Sequence, residues 1–145
     1  MPLVDWLMSA WANSSLGKWF DLRNGNNMDE LEREFLASWG GVEAYYSQES
    51  RAKRSASLLK LVAEMRSRGF DKSFRAGQQM TNFIVSRAKE NGLRPEQPNI
   101  NFSVSESGVD VEINIDGRHR VFLPEGEFTP EIEQWFRRLE MQPVD

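Results

Sequence analysis

Cysteine is absent from this 145-residue sequence, and histidine occurs once, at His119. The absence of cysteine excludes disulfide bonds, a thiolate nucleophile and cysteine-ligated zinc. A single imidazole excludes a histidine-rich metal centre and any mechanism that uses two histidines. The sequence also lacks the Gly-x-Ser-x-Gly motif that positions many serine nucleophiles. These absences argue against an enzyme, and the sequence predicts no cofactor and no metal site.

Long apolar stretches are absent as well, because no uninterrupted run approaches the length of about 18 residues that a membrane-spanning helix needs. The sequence therefore predicts no transmembrane segment. The apolar stretch over residues 3–11 is interrupted by Asp5 and has no basic region before it, so we expect no secretory signal peptide. These features predict a cytoplasmic protein.

The composition is that of a folded chain, with 39% hydrophobic and 11% aromatic residues. A chain of this length buries roughly 68–70% of the surface that it exposes when unfolded, so neither a metal nor a disulfide is needed for stability. The sequence predicts a single domain over residues 1–145.

Basic residues are concentrated in the middle of the chain. Residues 51–94 contain eleven of the 18 Lys and Arg residues but only three of the 22 acidic residues, a local charge of +8 in a chain whose net charge is −4. The segments on either side are acidic. Charge of one sign in one segment is an argument about partners and electrostatic steering, and it does not define a fold.

Helices are predicted for the first two-thirds of the chain. The segment Asn24–Asn27 indicates a loop, and Leu31, Phe35 and Trp39 follow it at helical spacing until Gly40-Gly41, which predicts a helix end. Further on, an apolar stripe ends at Gly69 and predicts a helix in the second part of residues 42–68. The apolar residues of 74–91 predict another helix. Together these two helices form a predicted αα-hairpin whose outer faces carry the basic charge.

The sequence from residue 99 onward has the alternation of strands. Apolar and polar residues alternate over residues 100–105 and 109–115, and the turn at Asp116-Gly117 leads to a third strand over Arg118–Leu123. This pattern predicts a three-stranded antiparallel β-meander near residues 99–123. Thr129-Pro130-Glu131 then predicts the start of a C-terminal helix, with a capping hydroxyl followed by proline. The predicted fold class is α+β.

The turn at Asp116-Gly117 allows two registers. A two-residue loop would place Arg118 and Arg120 on the apolar face, where unpaired arginine is costly. A type I turn with a glycine bulge would instead place Glu112 opposite Arg120 and Val111 opposite Val121. We therefore predict the bulged register.

Three patterns are candidates for catalysis, and each has a simpler structural interpretation. His119 could act as an acid or base, although a lone histidine on a strand is more often structural. Four Ser-x-x-Lys spacings occur, starting at residues 15, 50, 57 and 86, and their number favours chance. Asp110 and Glu112 lie on one face of a strand, where solvent exposure accounts for both.

Four of the five tryptophans lie within residues 1–39. They fit either an aromatic core or an exposed interface with a partner, since tryptophan is frequent at both. The sequence does not decide between these two interpretations.

The predicted function is stoichiometric binding of another macromolecule by a non-enzymatic protein. The preferred partner is a protein with an acidic surface, as in adaptor, accessory or immunity proteins. The alternative is nucleic acid, because the predicted order of helix, turn, helix and β-hairpin is similar to that of a winged helix. The candidate partner-binding residues, which carry basic or amide side chains, are Arg66, Arg68, Lys72, Arg75, Gln78, Gln79, Asn82, Arg87 and Lys89.

Overall fold

The computed structural model describes the backbone of residues 16–105 and 107–145, and the side chains of these residues from residue 30 onward. The chain divides into two units, residues 1–33 and residues 34–145. The described part of the first unit is helical backbone. The second unit contains the sheet and the hydrophobic core described below.

The described residues form an α+β fold. The helices are α1 (Leu16–Tyr46), α2 (Glu49–Ala52), α3 (Ala56–Ser67), a 3-10 helix (Phe70–Lys72) and α4 (Pro130–Glu140). The strands are β1 (Arg75–Gln79), β2 (Asn82–Ser86), β3 (Asn99–Ser105), β4 (Gly108–Asn114) and β5 (Arg118–Pro124). All five strands pair antiparallel with their neighbours in chain order, which makes one five-stranded meander. The α+β class is confirmed, whereas the prediction of one domain over the whole chain stays a prediction.

The predicted extent of the helices is wrong. Helical structure before the sheet ends at Lys72, about halfway along the chain. Residues 74–91, predicted as the second helix of a basic αα-hairpin, instead contain the hairpin of β1 and β2. The sheet accordingly has five strands and not the predicted three. The run Phe83-Ile84-Val85 explains the outcome, since aromatic and β-branched side chains favour a strand.

Helix α1 passes through both of its predicted ends. The backbone is helical at Asn24–Asn27 and again at Gly40-Gly41, so the predicted loop and the predicted stop are both wrong. Each glycine inside a helix costs about 0.5–1 kcal/mol relative to alanine. Burial of Val42 and Tyr46 beyond the glycines offsets that cost, because both side chains belong to the core.

One face of the sheet forms the core together with the helices. Trp39 of α1 packs edge-on against Phe83 with ring centroids 5.4 Å apart, and α3 lies against β3 and β4. From α4, Phe136 inserts among several rings at the centre of the core. Of the α4 residues whose helical spacing predicts a buried face, Ile132, Phe136 and Leu139 are buried, and Trp135 is partly buried against the core.

The outer edge of β1 is covered by α1. The backbone N–H of Ala76 donates to the Oγ of Ser38 at 2.9 Å, and the indole N–H of Trp39 donates to the carbonyl of Phe74 at 2.9 Å. Unpaired strand edges are templates for adventitious pairing. The α1 side chains therefore satisfy backbone groups at this edge of the sheet.

The predicted register between β4 and β5 is confirmed. Glu112 lies opposite Arg120, and Val111 lies opposite Val121. The turn itself is not type I, because Asp116 and Gly117 have φ values of 51° and 108°. The predicted start of α4 is confirmed too, since the Thr129 hydroxyl accepts a hydrogen bond from the N–H of Ile132.

Candidate partner-binding surfaces

Arg66 and Arg68, two of the predicted partner-binding residues, are engaged in ion pairs. Arg66 contacts Glu43 at 2.6 Å and Asp71 at 3.0 Å. Partial burial alone would lower the pKa of Arg66, but Asp71 and Glu43 together raise it above its ordinary value. Arg68 contacts Glu64 at 2.8 Å and lies over the ring of Phe128. Both side chains therefore already bind groups of this chain.

Arg75 is more deeply committed, with 7% of its surface exposed. Its guanidinium donates to the carbonyls of Ala88 at 2.9 Å and Lys89 at 2.6 Å, and it pairs with Glu34 at 3.0 Å. These bonds attach the segment after β2 to the first residue of β1. Arg75 acts as an internal brace between strand and loop.

Arg87 is held by two backbone carbonyls. It donates to Gln142 at 3.1 Å and to Ser73 at 2.8 Å, which joins the segments before the sheet and after α4. Partial burial lowers the pKa of Arg87 from its ordinary value, and the charge of Glu140 offsets part of that effect. Its guanidinium still stays protonated at neutral pH, as arginine does in proteins.

The five other predicted binding residues are distributed over different parts of the surface. Lys72, Gln78, Gln79 and Lys89 are exposed. Asn82 is half-buried, and its side-chain oxygen accepts a hydrogen bond from Ser103 at 3.0 Å. The nine residues do not form one patch of basic side chains, because four of the arginines among them are occupied by carboxylates or carbonyls. Their role in binding a partner stays a prediction.

The face of the sheet opposite the core is polar. It contains a depression of about 390 Å³ that is bordered by strands β2 to β5. Its lining combines amide, hydroxyl and charged groups with one aromatic ring: Asn82, Asn101, Ser103, Asp110, Glu112, Arg120 and Phe122. Phe122 is 43% exposed, which is a large apolar exposure for a strand residue. This open face is a candidate contact surface that the sequence prediction missed.

Strand β5 has an open edge next to this face. The backbone N–H of Glu125 donates to the carbonyl of Ser107 at 3.1 Å, in register with the β4–β5 pairs. Bonded and non-bonded pairs alternate along an antiparallel ladder. Arg118, Arg120 and Phe122 consequently direct their N–H and C=O groups away from β4. Within the described part of the chain, no backbone hydrogen bond reaches these groups.

Two arginines on β5 share one carboxylate. Glu112 lies 3.3 Å from Arg118 and 3.6 Å from Arg120, whose side chains are 69% and 77% exposed. One carboxylate balances only one of the two guanidiniums. Two exposed guanidiniums therefore lie near the ring of Phe122, with Glu112 as the carboxylate that both contact.

The catalytic candidates from the sequence have structural surroundings. The ring of His119 packs on the indole of Trp135, with centroids 4.6 Å apart, and Arg138 lies over the same indole. Asp110 is exposed on the open face, and Glu112 is paired with the two arginines. Of the four tryptophans within residues 1–39, Trp39 is buried in the core. Trp6 and Trp11 lie outside the described residues, and so does the side chain of Trp19. Among the residues whose side chains the structure describes, no three His, Asp or Glu side chains form a group suited to a metal ion.

A smaller cavity of about 240 Å³ lies near the start of α3. It is lined by aromatic, basic and hydroxyl side chains with one aliphatic neighbour: Tyr45, Tyr46, Arg51, Arg54, Ser55, Thr81 and Val104. The Arg51 guanidinium lies 4.2 Å from the ring centre of Tyr45, and the hydroxyl of Tyr46 donates to the carbonyl of Thr81 at 3.2 Å. Sequence reasoning included the two arginines in the basic segment but did not single them out.

Tyr46 gives this region a measurable titration. Burial, with a smaller contribution from Tyr45, raises the pKa of Tyr46 to about 12, while Arg51 opposes the rise. The folded state then holds this proton more tightly than the unfolded chain does. Tyr46 should therefore contribute its full stabilisation below pH 10. The free energy of unfolding should fall as the pH rises from there toward about 12.

Ultraviolet absorbance checks the raised pKa of Tyr46, because it reports the ionisation of tyrosine and the chain has only two tyrosines. We expect a phenolate step near pH 12 that disappears in Tyr46→Phe. An unchanged step in that variant would contradict the assignment.

None of the helices among the described residues is long and apolar enough to cross a membrane. Comparison of the sequence with protein-family models gives no match. Searches of curated proteins and of solved structures likewise give no match. The functional argument therefore depends on the surfaces of this chain.

Proposed function

We propose that this protein is a non-enzymatic, cytoplasmic binding protein of the adaptor, accessory or immunity type, which contacts another protein in fixed stoichiometry. The observation that carries the proposal is the open edge of β5 beside an exposed aromatic ring. The partner contributes an extended segment that pairs with this edge and contains both acidic and apolar residues. Addition of a strand to an open edge is a common mode of peptide recognition.

Backbone geometry and side-chain chemistry support the same partner. Arg118, Arg120 and Phe122 turn their backbone groups outward, so an added strand finds donors and acceptors along the edge. The exposed guanidiniums of Arg118 and Arg120 favour acids on the partner. Phe122 offers an apolar contact, and aromatic residues are enriched among interface positions that carry binding energy.

Nucleic acid is less favoured by the structure. The predicted recognition helix over residues 74–91 is instead a β-hairpin. The second helix that a winged helix needs is therefore absent at this position. The arginines Arg66, Arg68, Arg75 and Arg87 are held by carboxylates or carbonyls of the chain itself. Contact with phosphates would require these bonds to be exchanged.

A synthetic peptide that alternates valine and glutamate tests the proposal by fluorescence anisotropy, with a valine–lysine peptide as the charge control. We expect the glutamate peptide to bind and the lysine peptide to bind much more weakly. Phe122→Ala should weaken binding by roughly tenfold. Phe122 is surface-exposed, so an effect of this substitution on binding can be distinguished from an effect on folding.

The role of the backbone is isolated at residue 120. Arg120→Ala removes the side chain, whereas Arg120→Pro removes the outward N–H as well and leaves the β4 ladder without a missing donor. We expect the proline variant to bind more weakly than the alanine variant, with circular dichroism confirming that both are folded. Equal affinity of the unsubstituted protein for the valine–glutamate and valine–lysine peptides would contradict the proposal.

A mixed DNA and RNA pool serves as the competing ligand. Binding of this pool that falls steeply with salt, by close to 0.9 in the log–log slope for each phosphate contacted on duplex DNA, would favour nucleic acid instead. Lys89→Gln, which replaces an exposed cation, would then flatten the slope by roughly one unit.

A further inference from the structure

The cavity near the start of α3 has the chemistry of an anion site. Arg51 and Arg54 both line it, and neither makes an ion pair with a carboxylate of the described residues. Arg51 is held against the ring of Tyr45, and it also donates to the side-chain oxygen of Gln48. These contacts fix its position without neutralising its charge. Two guanidiniums beside one cavity are well suited to bind an oxyanion.

The start of α3 is next to this cavity, because the N-cap residue Ser55 lines it. The helix begins at Ala56, and its N-cap residue Ser55 makes no side-chain capping bond. The first backbone N–H groups of a helix have no partner within the helix, and the helix dipole gives this end a partial positive charge. Anions commonly bind at such an end.

A second observation, independent of the helix, is the side chain of Ser55. It lines the cavity although the residue is only 5% exposed, and its hydroxyl makes no hydrogen bond to another described residue. No side-chain polar atom of the described residues is both fully buried and unsatisfied. The Ser55 hydroxyl is therefore reached from the cavity and not sealed in the core.

We propose that this cavity binds a small phosphate monoester. The phosphate oxygens accept hydrogen bonds from Arg51, Arg54 and the Ser55 hydroxyl. The organic group of the ester packs against the apolar wall that Tyr46 and Val104 provide. This site is separate from the β5 edge, so the two proposals fail or succeed independently.

Calorimetric titration with phenyl phosphate tests the proposal, with inorganic phosphate and phenol as the two halves of the probe. We expect saturable 1:1 binding of phenyl phosphate that is roughly tenfold tighter than that of inorganic phosphate, and no binding of phenol. No saturable binding of phenyl phosphate below about 10 mM would overturn the proposal. Equal affinity for inorganic phosphate would overturn the proposed class of ligand.

Matched variants locate the site. Arg54→Gln is the sharper substitution, because Arg54 is exposed and its loss should leave the fold intact. We expect a loss of affinity of roughly tenfold or more in Arg54→Gln and Ser55→Ala. Lys60→Gln removes an exposed cation from α3 away from the cavity lining and should leave the affinity unchanged. Equal losses in Arg54→Gln and Lys60→Gln would show general charge attraction and overturn the proposal.

Discussion

Replacing Phe136 with alanine should lower the free energy of unfolding by about 4 kcal/mol. The side chain of Phe136 is fully buried, and its ring lies 4.8 Å from Phe70 and 5.5 Å from Phe74, measured between ring centres. Phe102 of the sheet lies on the same ring at 6.2 Å. Truncation removes the ring through which α4 contacts both the 3-10 helix and the sheet. Urea denaturation measures the change.

Phe122→Ala is the matched control, because it removes the same ring from the open face. We expect it to cost less than about 1 kcal/mol, since that ring is largely exposed already. A comparable loss in both variants would contradict the placement of the core on one face of the sheet.

The second large effect is expected for Arg75→Ala, at about 3 kcal/mol. The substitution leaves the carbonyls of Ala88 and Lys89 without their donor and removes the partner of Glu34. Asn91 loses a weaker bond at 3.3 Å. Urea denaturation measures the loss, and hydrogen exchange should show faster opening of the segment that follows β2.

Two further substitutions separate the contribution of the Arg75 charge from that of its hydrogen bonds. Arg75→Lys keeps the charge but not the fork of donors, so we expect it to recover only part of the stability. Arg94→Ala removes an arginine whose ion pair with Asp145 is solvent-exposed, and should cost well under 1 kcal/mol. Full recovery in Arg75→Lys would mean that charge, and not the hydrogen bonds, stabilises the loop.

The sequence predicted the second half of the sheet well because its signals are local. Period-2 alternation fixes which residues of β3 and β4 share a face. The cost of burying Arg120 was enough to choose its pairing with Glu112 over the other register. The cap at Thr129 depends on adjacent residues only, and it too was predicted correctly.

The β1–β2 hairpin was missed because its turn has no typical turn residue. The two residues between the strands are Met80 and Thr81, where hairpins usually have asparagine or glycine. Met80 has a φ of 56°, a conformation that its side chain does not favour. The pairing of the strands imposes this conformation, and nothing within a few residues of sequence indicates it.

The candidate surfaces were less predictable than the fold, because charge along a sequence is not charge in space. Glu34, Glu43 and Glu133 belong to acidic segments, yet they meet Arg75, Arg66 and Arg68 of the basic segment. Those arginines stabilise the packing of helices and loops. Contacts between distant parts of the chain determine which cations stay unpaired. These contacts cannot be predicted from the spacing of residues in the sequence.

The cover that α1 places over β1 limits how copies of this protein can aggregate. A sheet that is open at both edges can add molecules without end and grow into a fibre. With the Ala76 N–H bound to Ser38, strand addition at β1 is disfavoured, and β5 is the more accessible edge among the described residues. Two copies joined through β5 would use both open edges and form a closed pair of ten strands. Overproduction of the folded protein should therefore favour discrete dimers, and fibres should become more frequent when α1 detaches.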